Sequence, residues 1–321
     1  MFDGRQPRVD SDQGNGDRLS SDPDRAQIKF LSSAITDEIV AAVGFSPRGP
    51  ARRMLGPLFR SPARRISTIM SRYDRDAAAT DIVAATGRLL AQFVDGVEAR
   101  GVENIPHDGP VLIASNHPGA YDAFAIVSQL PRSDFKLVGS DVPFLKALPE
   151  IATRLIYTPR DAMQRMLAVR ASVRQLQANC TLIIYPTGVV DPDPEVQAGA
   201  ADALKNWSPS LEIMLRCAPT ARVVITVVSG VLSSKALRNP ITRLAKADWE
   251  KRRLAEFLQV MQQLMFKRQF HIRPRLTFGS PLSLADLDRN NPMPGLIAHA
   301  RSILADHLAA FDIQQDLLHT G

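Results

Sequence analysis

Apolar residues recur at two different spacings along this chain. From residue 28 to about residue 93 they fall three and four apart, as with Ile82, Val83, Leu89, Leu90 and Phe93, and the run stops at the turn-forming pair Asp95-Gly96. That spacing predicts helices and no strand. From Gly96 onward short apolar runs alternate with amphipathic stretches, the pattern of a sheet covered by helices. The predicted strands are 97–100, 111–115, 135–139, 155–158, 181–185, 223–229 and 272–278. Pro274 predicts an edge position for the last, because proline offers no N–H to a neighbouring strand. Helices are predicted over 161–178, where Met166, Val169, Val173 and Leu176 share a face, over 241–267, and near the C-terminus, where Ile297, Leu304, Leu308 and Phe311 do the same. Residues 191–210, dense in Pro, Ala and Gly, read as a long loop, and such loops in compact domains are often functional.

The expected fold class is α/β, with a mostly parallel-to-mixed sheet flanked by helices and an N-terminal helical region. Its expected division is a disordered tail over 1–27, a helical, basic region over 28–95, an α/β domain over 96–290, and a C-terminal helix and tail over 291–321.

Composition and charge narrow the setting. With 321 residues, 45% of them hydrophobic, the chain can bury a large core. Its opening, "MFDGRQPRVDSDQGNGDRLSSDPDR", lacks the apolar centre and cleavage site of a secretory signal. No stretch approaches the roughly 18 consecutive apolar residues that cross a bilayer, so any membrane contact is expected to be peripheral. Cys180 and Cys217 stand far apart without paired spacing, which suggests neither a disulfide framework nor a zinc ribbon and fits a reducing, cytoplasmic setting.

The net charge of +6 is unevenly distributed. "RGPARRMLGPLFRSPARRISTIMSRYDR" sets Arg48, Arg52, Arg53, Arg60, Arg64, Arg65, Arg72 and Arg75 against Asp74, with Met54, Leu55, Leu58, Phe59, Ile66 and Ile69 interleaved. Such a segment suits the headgroup layer of an anionic membrane, and equally a solvated basic face packed on a core. A second cluster, Lys251, Arg252, Arg253, Lys267 and Arg268, flanks an apolar helix and suits a coenzyme's phosphates, an acidic carrier protein or the bilayer. Nucleic acid is not expected, because the aromatics, at 6%, form no stacking platform beside either cluster.

The chemistry-bearing stretch is "VLIASNHPGAYDAFAIVSQL", apolar for five residues, broken at Asn116, His117, Pro118 and Gly119, then resumed at helical spacing. If 111–115 is a strand, Asn116 and His117 emerge at its carboxyl end, where open α/β sheets build their sites. Asp122 then falls in the first turn of the next helix and can hold one imidazole nitrogen while the other faces the cleft as a proton acceptor. Alone, a His-x4-Asp spacing also fits a histidine at a helix start, bonded to nearby backbone. Two further apolar runs stop on polar turns. "RLIYTPRD" ends at Arg160, whose planar fork suits a phosphate or carboxylate, or an ordinary salt bridge with Asp161. "TLIIYPTGVVDPDP" ends at Pro186, Thr187 and Gly188. The histidines at 107, 117, 271, 299, 307 and 319 show no ligand spacing, so no metal is expected.

These stretches together resemble a family. "GVEARGVENIPHDGPVLIASNHPGAYD" is similar to the lead-in strand, turn and His-x4-Asp signature of the glycerolipid acyltransferases of the lysophosphatidic-acid acyltransferase type. "IYTPR" occupies the second block, "YPTG" the third, "RVVITVVSGV" the fourth and apolar one, and "RPRLTFGSPL" resembles the closing strand, so the likeness runs over about 96–284. It implies transfer of an acyl chain from acyl-CoA or acyl carrier protein, as co-substrate, to a lipid or glycerol-type hydroxyl, with no permanently bound cofactor and no acyl-enzyme. With the basic clusters, the expected position is peripheral on an anionic membrane surface, at the inner face of the membrane. By the same likeness His117 deprotonates the acceptor and Asp122 orients it. Arg160 helps hold the acceptor's phosphate, and Asn116, Pro186, Thr187 and Gly188 line the substrate site, with N–H groups around Gly188 on the oxyanion.

The chain departs from the pattern at the third block, where Thr187 replaces the usual glutamate and Val189, Val190 and Asp191 follow without an arginine. The fourth block has Thr226 and Val227 in place of its usual opening proline. A hydroxyl carries no charge, so an acceptor less acidic than glycerol-3-phosphate or lysophosphatidate is expected. The alternative reading is a catalytically silent lipid-binding relative, against which stands the presence of both His117 and Asp122. A hydrolase would call for a serine nucleophile in a Gly-x-Ser-x-Gly turn, and the sequence has none.

Overall fold

Residues 21–42, 46, 48–158, 161–245, 247–266 and 270–314 are described by the computed structural model. The chain's apolar run Val111–Ser115 forms a strand whose five residues are all buried, and a strand buried on both faces must lie between two helical layers. In chain order the strands are β1 (Glu98–Arg100), β2 (Val111–Ser115), β3 (Phe135–Ser140), β4 (Leu155–Thr158), β5 (Thr181–Ile184), β6 (Arg222–Ser229) and β7 (Arg275–Phe278). They form one sheet in the order β1-β7-β6-β2-β5-β3-β4, parallel throughout except where β7 meets β6. At its centre Ile113 of β2 stands opposite Ile183 of β5 and Val224 of β6.

The period-two alternation of a strand divides the core in two. Val111, Ile113, Ile183, Val224 and Val228 face one side, with α2 (Pro50–Ala79), α3 (Ile82–Leu90) and α4 (Asp122–Val127) upon them. Leu112, Ala114, Leu182, Val223 and Ile225 face the other, beneath α5 (Ala162–Gln177), α6 (Ser210–Cys217) and α8 (Pro292–Ala310). A further helix, α7 (Asp248–Phe266), joins the first layer and packs with α1 (Ser21–Ala42) and α2 through Ile35, Ile39, Ala63, Met261 and Leu264.

Several expectations are corrected by this arrangement. β7 is interior, between β1 and β6, and Pro274 is harmless because it precedes the first paired residue and contributes only its carbonyl, accepting from Glu98 N at 2.9 Å. The helix expected over 241–267 is interrupted: a 3-10 turn, Pro240–Leu244, precedes α7. The Thr242 hydroxyl closes that turn onto Leu237 O and Asn239 O, and Glu250 caps the new start by accepting from Ala247 N. Lys267 and Arg268 lie outside the described residues. Helix α1 begins at Ser21, inside the tail expected over 1–27, and Gln27 is held by Ala147 O and Ser71 Oγ, both at 3.0 Å; residues 1–20 are not described. The loop expected over 191–210 contains a short helix, Ala200–Ala203, and a 3-10 turn, Leu204–Asn206, and buries Asp191, Asp193, Leu204 and Trp207.

Most of the arginine-rich segment is helix α2. Its apolar residues divide: Phe59 meets Phe257 edge-on, Ile66 and Ile69 pack on the core, while Met54 and Leu58 are 81% and 71% exposed. No described helix is long and apolar enough to cross a membrane.

Candidate active site

Because β5, β2 and β6 are adjacent and parallel, the loops leaving their carboxyl ends converge over the middle of the sheet. The loop after β2 starts with Asn116, whose Nδ2 donates to Val228 O and whose Oδ1 accepts from Val228 N, both at 2.8 Å. The amide continues the β2–β6 ladder after the backbone has turned away. Each of its polar atoms therefore carries a bond to the scaffold.

His117 comes next, and Asp122 heads α4 at 1% exposure. Asp122 Oδ2 accepts from His117 Nδ1 at 2.7 Å and from Gly119 N at 3.1 Å, while Oδ1 accepts from the Tyr185 hydroxyl at 2.9 Å. Three donors from two loops thus fix one carboxylate, and the carboxylate fixes the imidazole tautomer. Tyr185, just past β5, also stacks on the imidazole, with ring centroids 4.4 Å apart and planes 23° apart. Burial holds the Tyr185 hydroxyl well above its ordinary pKa, so it remains a donor. His117 Nε2 has no protein partner among the described residues, and 29% of the side chain is open to solvent.

The electrostatics of His117 are a contest. Burial pushes its pKa down, but the adjacent Asp122, by charge and hydrogen bond, and then Glu256 and Asp191 outweigh it and raise the value to about 9. The resting imidazole therefore carries a proton at neutral pH.

The third block lies alongside. Asp191 grips the His117 backbone at both ends, accepting from His117 N at 2.9 Å and donating its own N–H to His117 O at 2.7 Å. Thr187 Oγ1 lies 3.0 Å from the same Asp191 carboxylate and 3.1 Å from Val189 O. Gly188, with φ +68°, closes the turn by donating to Tyr185 O at 3.1 Å, and Pro186 O accepts from Ser208 N at 3.0 Å. The Gly188 N–H is thus engaged in the turn, so it is not itself one of the free N–H groups expected around it. Arg160 lies outside the described residues, as does Pro159.

Four acceptor contacts made by Asp193 anchor the rest of this loop. It is buried and takes the N–H groups of Glu195, Gly230, Val231 and Leu232 at 2.9–3.0 Å, tying the loop after β5 to the loop after β6. Helix α7 closes the side of the site with polar residues at 252, 256, 259 and 263, the spacing of one helical face. Arg252 Nε donates to Val190 O at 2.9 Å, and Gln259 holds Val231 O and Ser233 N, both at 2.7 Å. Gln263 accepts from the Tyr121 hydroxyl and donates to Phe93 O. The Glu256 carboxyl carbon comes within 4.0 Å of the point where a Cβ on Gly119 would stand. Burial raises the Glu256 pKa to about 7 against the charge of His117, which lowers it.

Sequence reading brought His117 and Asp122 together and put Thr187 and Gly188 beside them. It missed the roles of Tyr185, Asp191, Asp193 and Glu256. The signal for α7 was present in the sequence as a second polar stripe at 252, 256, 259 and 263.

Residues 96–230 match the family model described as Acyltransferase, a span that runs from just before β1 through β6 and includes His117, Asp122, Tyr185 and Asp191. No curated protein matches the chain. Among solved structures, the crystal structure of the 1-acyl-sn-glycerophosphate (LPA) acyltransferase PlsC from Thermotoga maritima aligns at 14% identity and a TM-score of 0.42, over 89% of this chain and 95% of that one.

Proposed function

We propose that this chain, an O-acyltransferase whose residues 96–230 belong to the acyltransferase family, moves a fatty acyl group from acyl-CoA or acyl carrier protein to the hydroxyl of a glycerolipid. The observation that carries the reading is the Asp122-held imidazole at the carboxyl end of the central strand, its second nitrogen free of protein partners among the described residues. In the proposed step His117 Nε2, once deprotonated, removes the acceptor's hydroxyl proton as that oxygen attacks the thioester carbonyl. The C–S bond then breaks, and the imidazolium returns the proton to the departing thiolate. Asp122 supports the imidazolium, and Tyr185 and Gly119 hold Asp122. No acyl-enzyme forms, and the chemistry asks for no metal.

The α1–α2 pair supports a second part of the proposal, peripheral docking on an anionic membrane at its inner face. Arg25, Lys29, Arg53, Arg60 and Arg64 line a groove of about 810 Å³ between the two helices, and Met54 and Leu58 stand exposed on α2 nearby. Basic residues at headgroup depth with apolar side chains projecting past them suit such a surface.

Purified protein given a radiolabelled acyl-thioester and a total lipid extract is expected to place label in a lipid ester. Label appearing only as free fatty acid would mark a hydrolase, and an unconsumed thioester would mark a silent lipid-binding protein.

A further inference from the structure

Of the four polar residues that α7 turns toward the site, two are fully occupied by protein partners: Gln259, between Val231 O and Ser233 N, and Gln263, between the Tyr121 hydroxyl and Phe93 O. The other two are not. Among the described residues Arg252 engages only its Nε, on Val190 O, which leaves the two terminal nitrogens of its fork. Glu256 has no hydrogen-bond partner among the described residues, although it is half-buried and lies against Gly119, two residues from His117. Residues four apart on a helix are neighbours, with Cβ atoms about 6 Å apart, so a guanidinium and a carboxylate stand side by side on the face of α7 that meets the loops after β2 and β5.

The charge balance around that face indicates what it would accept. Asp122, Asp191 and Glu256 all bear on His117, and Arg252 lies opposite Asp191. Arg253 also bears on Glu256 but pairs with Glu38 at 3.8 Å, and Glu256, its pKa raised by burial to about 7, is ionised in part at neutral pH, so the described part of the site carries no excess of positive charge. A phosphomonoester bringing two further negative charges fits it poorly. A headgroup that brings an ammonium as well as a phosphate fits it well, because the cation meets the free carboxylate. In a phosphoethanolamine the phosphorus and nitrogen are separated by an oxygen and two carbons, a span on the order of one helical turn, about 5.4 Å.

We propose that Arg252 and Glu256 form the acceptor-headgroup subsite, selective for a zwitterionic lysolipid, with the phosphodiester on the Arg252 fork and the ammonium on Glu256. The assignment rests on the acyltransferase reading given above. It names both residues as determinants of specificity, outside the segment that carries His117, Asp122 and the third block.

The test uses wild type, Glu256→Gln, Glu256→Lys and Arg252→Gln, with one labelled acyl-thioester and three acceptors of matched chain: lysophosphatidylethanolamine, lysophosphatidate and monoacylglycerol. Ratios of kcat/KM between acceptors are taken on a single preparation, so partial misfolding of a variant cancels. Wild type should prefer lysophosphatidylethanolamine to lysophosphatidate. Glu256→Gln should lower that ratio roughly tenfold or more, the scale of one charge-assisted hydrogen bond, and Glu256→Lys should invert it. Arg252→Gln should lower lysophosphatidylethanolamine relative to monoacylglycerol. Ratios unmoved by both Glu256 changes, or a wild-type preference for lysophosphatidate, would overturn the subsite while leaving acyl transfer standing. Transfer to none of the three would overturn the acyltransferase reading and the subsite with it.

Discussion

At the scale of residues, the site is a contest over one proton. Asp122, Glu256 and Asp191 approach His117 from α4, α7 and the third-block loop, and together they outweigh the burial that would otherwise keep the imidazole neutral. A base that is protonated at rest must lose its proton before it can act. The sign follows: with a pKa near 9, the fraction of neutral imidazole, and with it kcat/KM, should rise about tenfold per pH unit from pH 6 to 8 and level off near 9. Glu256→Gln removes one supporting charge and should move the inflection toward acid, which a pH–rate profile corrected for spontaneous thioester hydrolysis would detect. A flat profile between pH 6 and 8 would mean that His117 does not titrate there. The His117–Asp122 pair was legible in the sequence because both residues belong to one short turn. Tyr185 and Glu256 were not, since they are 68 and 139 residues from His117 and only the closing of the sheet and the packing of α7 bring them to it.

At the scale of elements, the loops that carry the site are irregular, and buried side chains rather than a ladder hold them. Asp193 is the main tie, with four backbone N–H groups on one carboxylate. Replacing it with alanine leaves those donors buried without an acceptor, at about 1 to 3 kcal/mol for each one that water cannot reach. Asp193→Ala should therefore cost about 3 kcal/mol or more of unfolding free energy by denaturant titration. A loss below about 1 kcal/mol would show that the loop is held otherwise. The loop's length suggested its importance in the sequence, but nothing there set Asp193 apart, because an aspartate's burial depends on backbone groups that come from a distant strand end. The strands were easier to read. Runs such as Leu182, Ile183 and Ile184 are apolar on both faces, and that pattern has few other solutions. Pro274 misled because a proline one residue before a strand looks the same in sequence as a proline within it.

At the scale of the whole molecule, a three-layer α/β body places the candidate site at the carboxyl ends of its central strands, and the α1–α2 pair adds a basic surface. Salt decides whether that surface is a membrane dock. Sedimentation with anionic vesicles should fall as salt rises toward 0.5 M, where the screening length drops below about 5 Å, and neutral vesicles should bind poorly. Changing Arg53, Arg60 and Arg64 together to Gln should weaken vesicle binding while sparing transfer to a soluble acceptor. Unchanged vesicle affinity in that variant would leave the arginines as a solvated face on a packed core.

The central claim, that this chain transfers acyl groups with His117 as the base, is tested most directly by kcat/KM for acyl transfer in His117→Ala, with thermal unfolding recorded on the same preparation. Removing the imidazole takes one of three donors from the buried Asp122 and the stacking partner from Tyr185, so the melting temperature should fall while unfolding stays cooperative, and kcat/KM measured well below that temperature should fall by roughly 100-fold or more, the usual size of a general-base contribution. Full activity in folded His117→Ala protein would contradict the account.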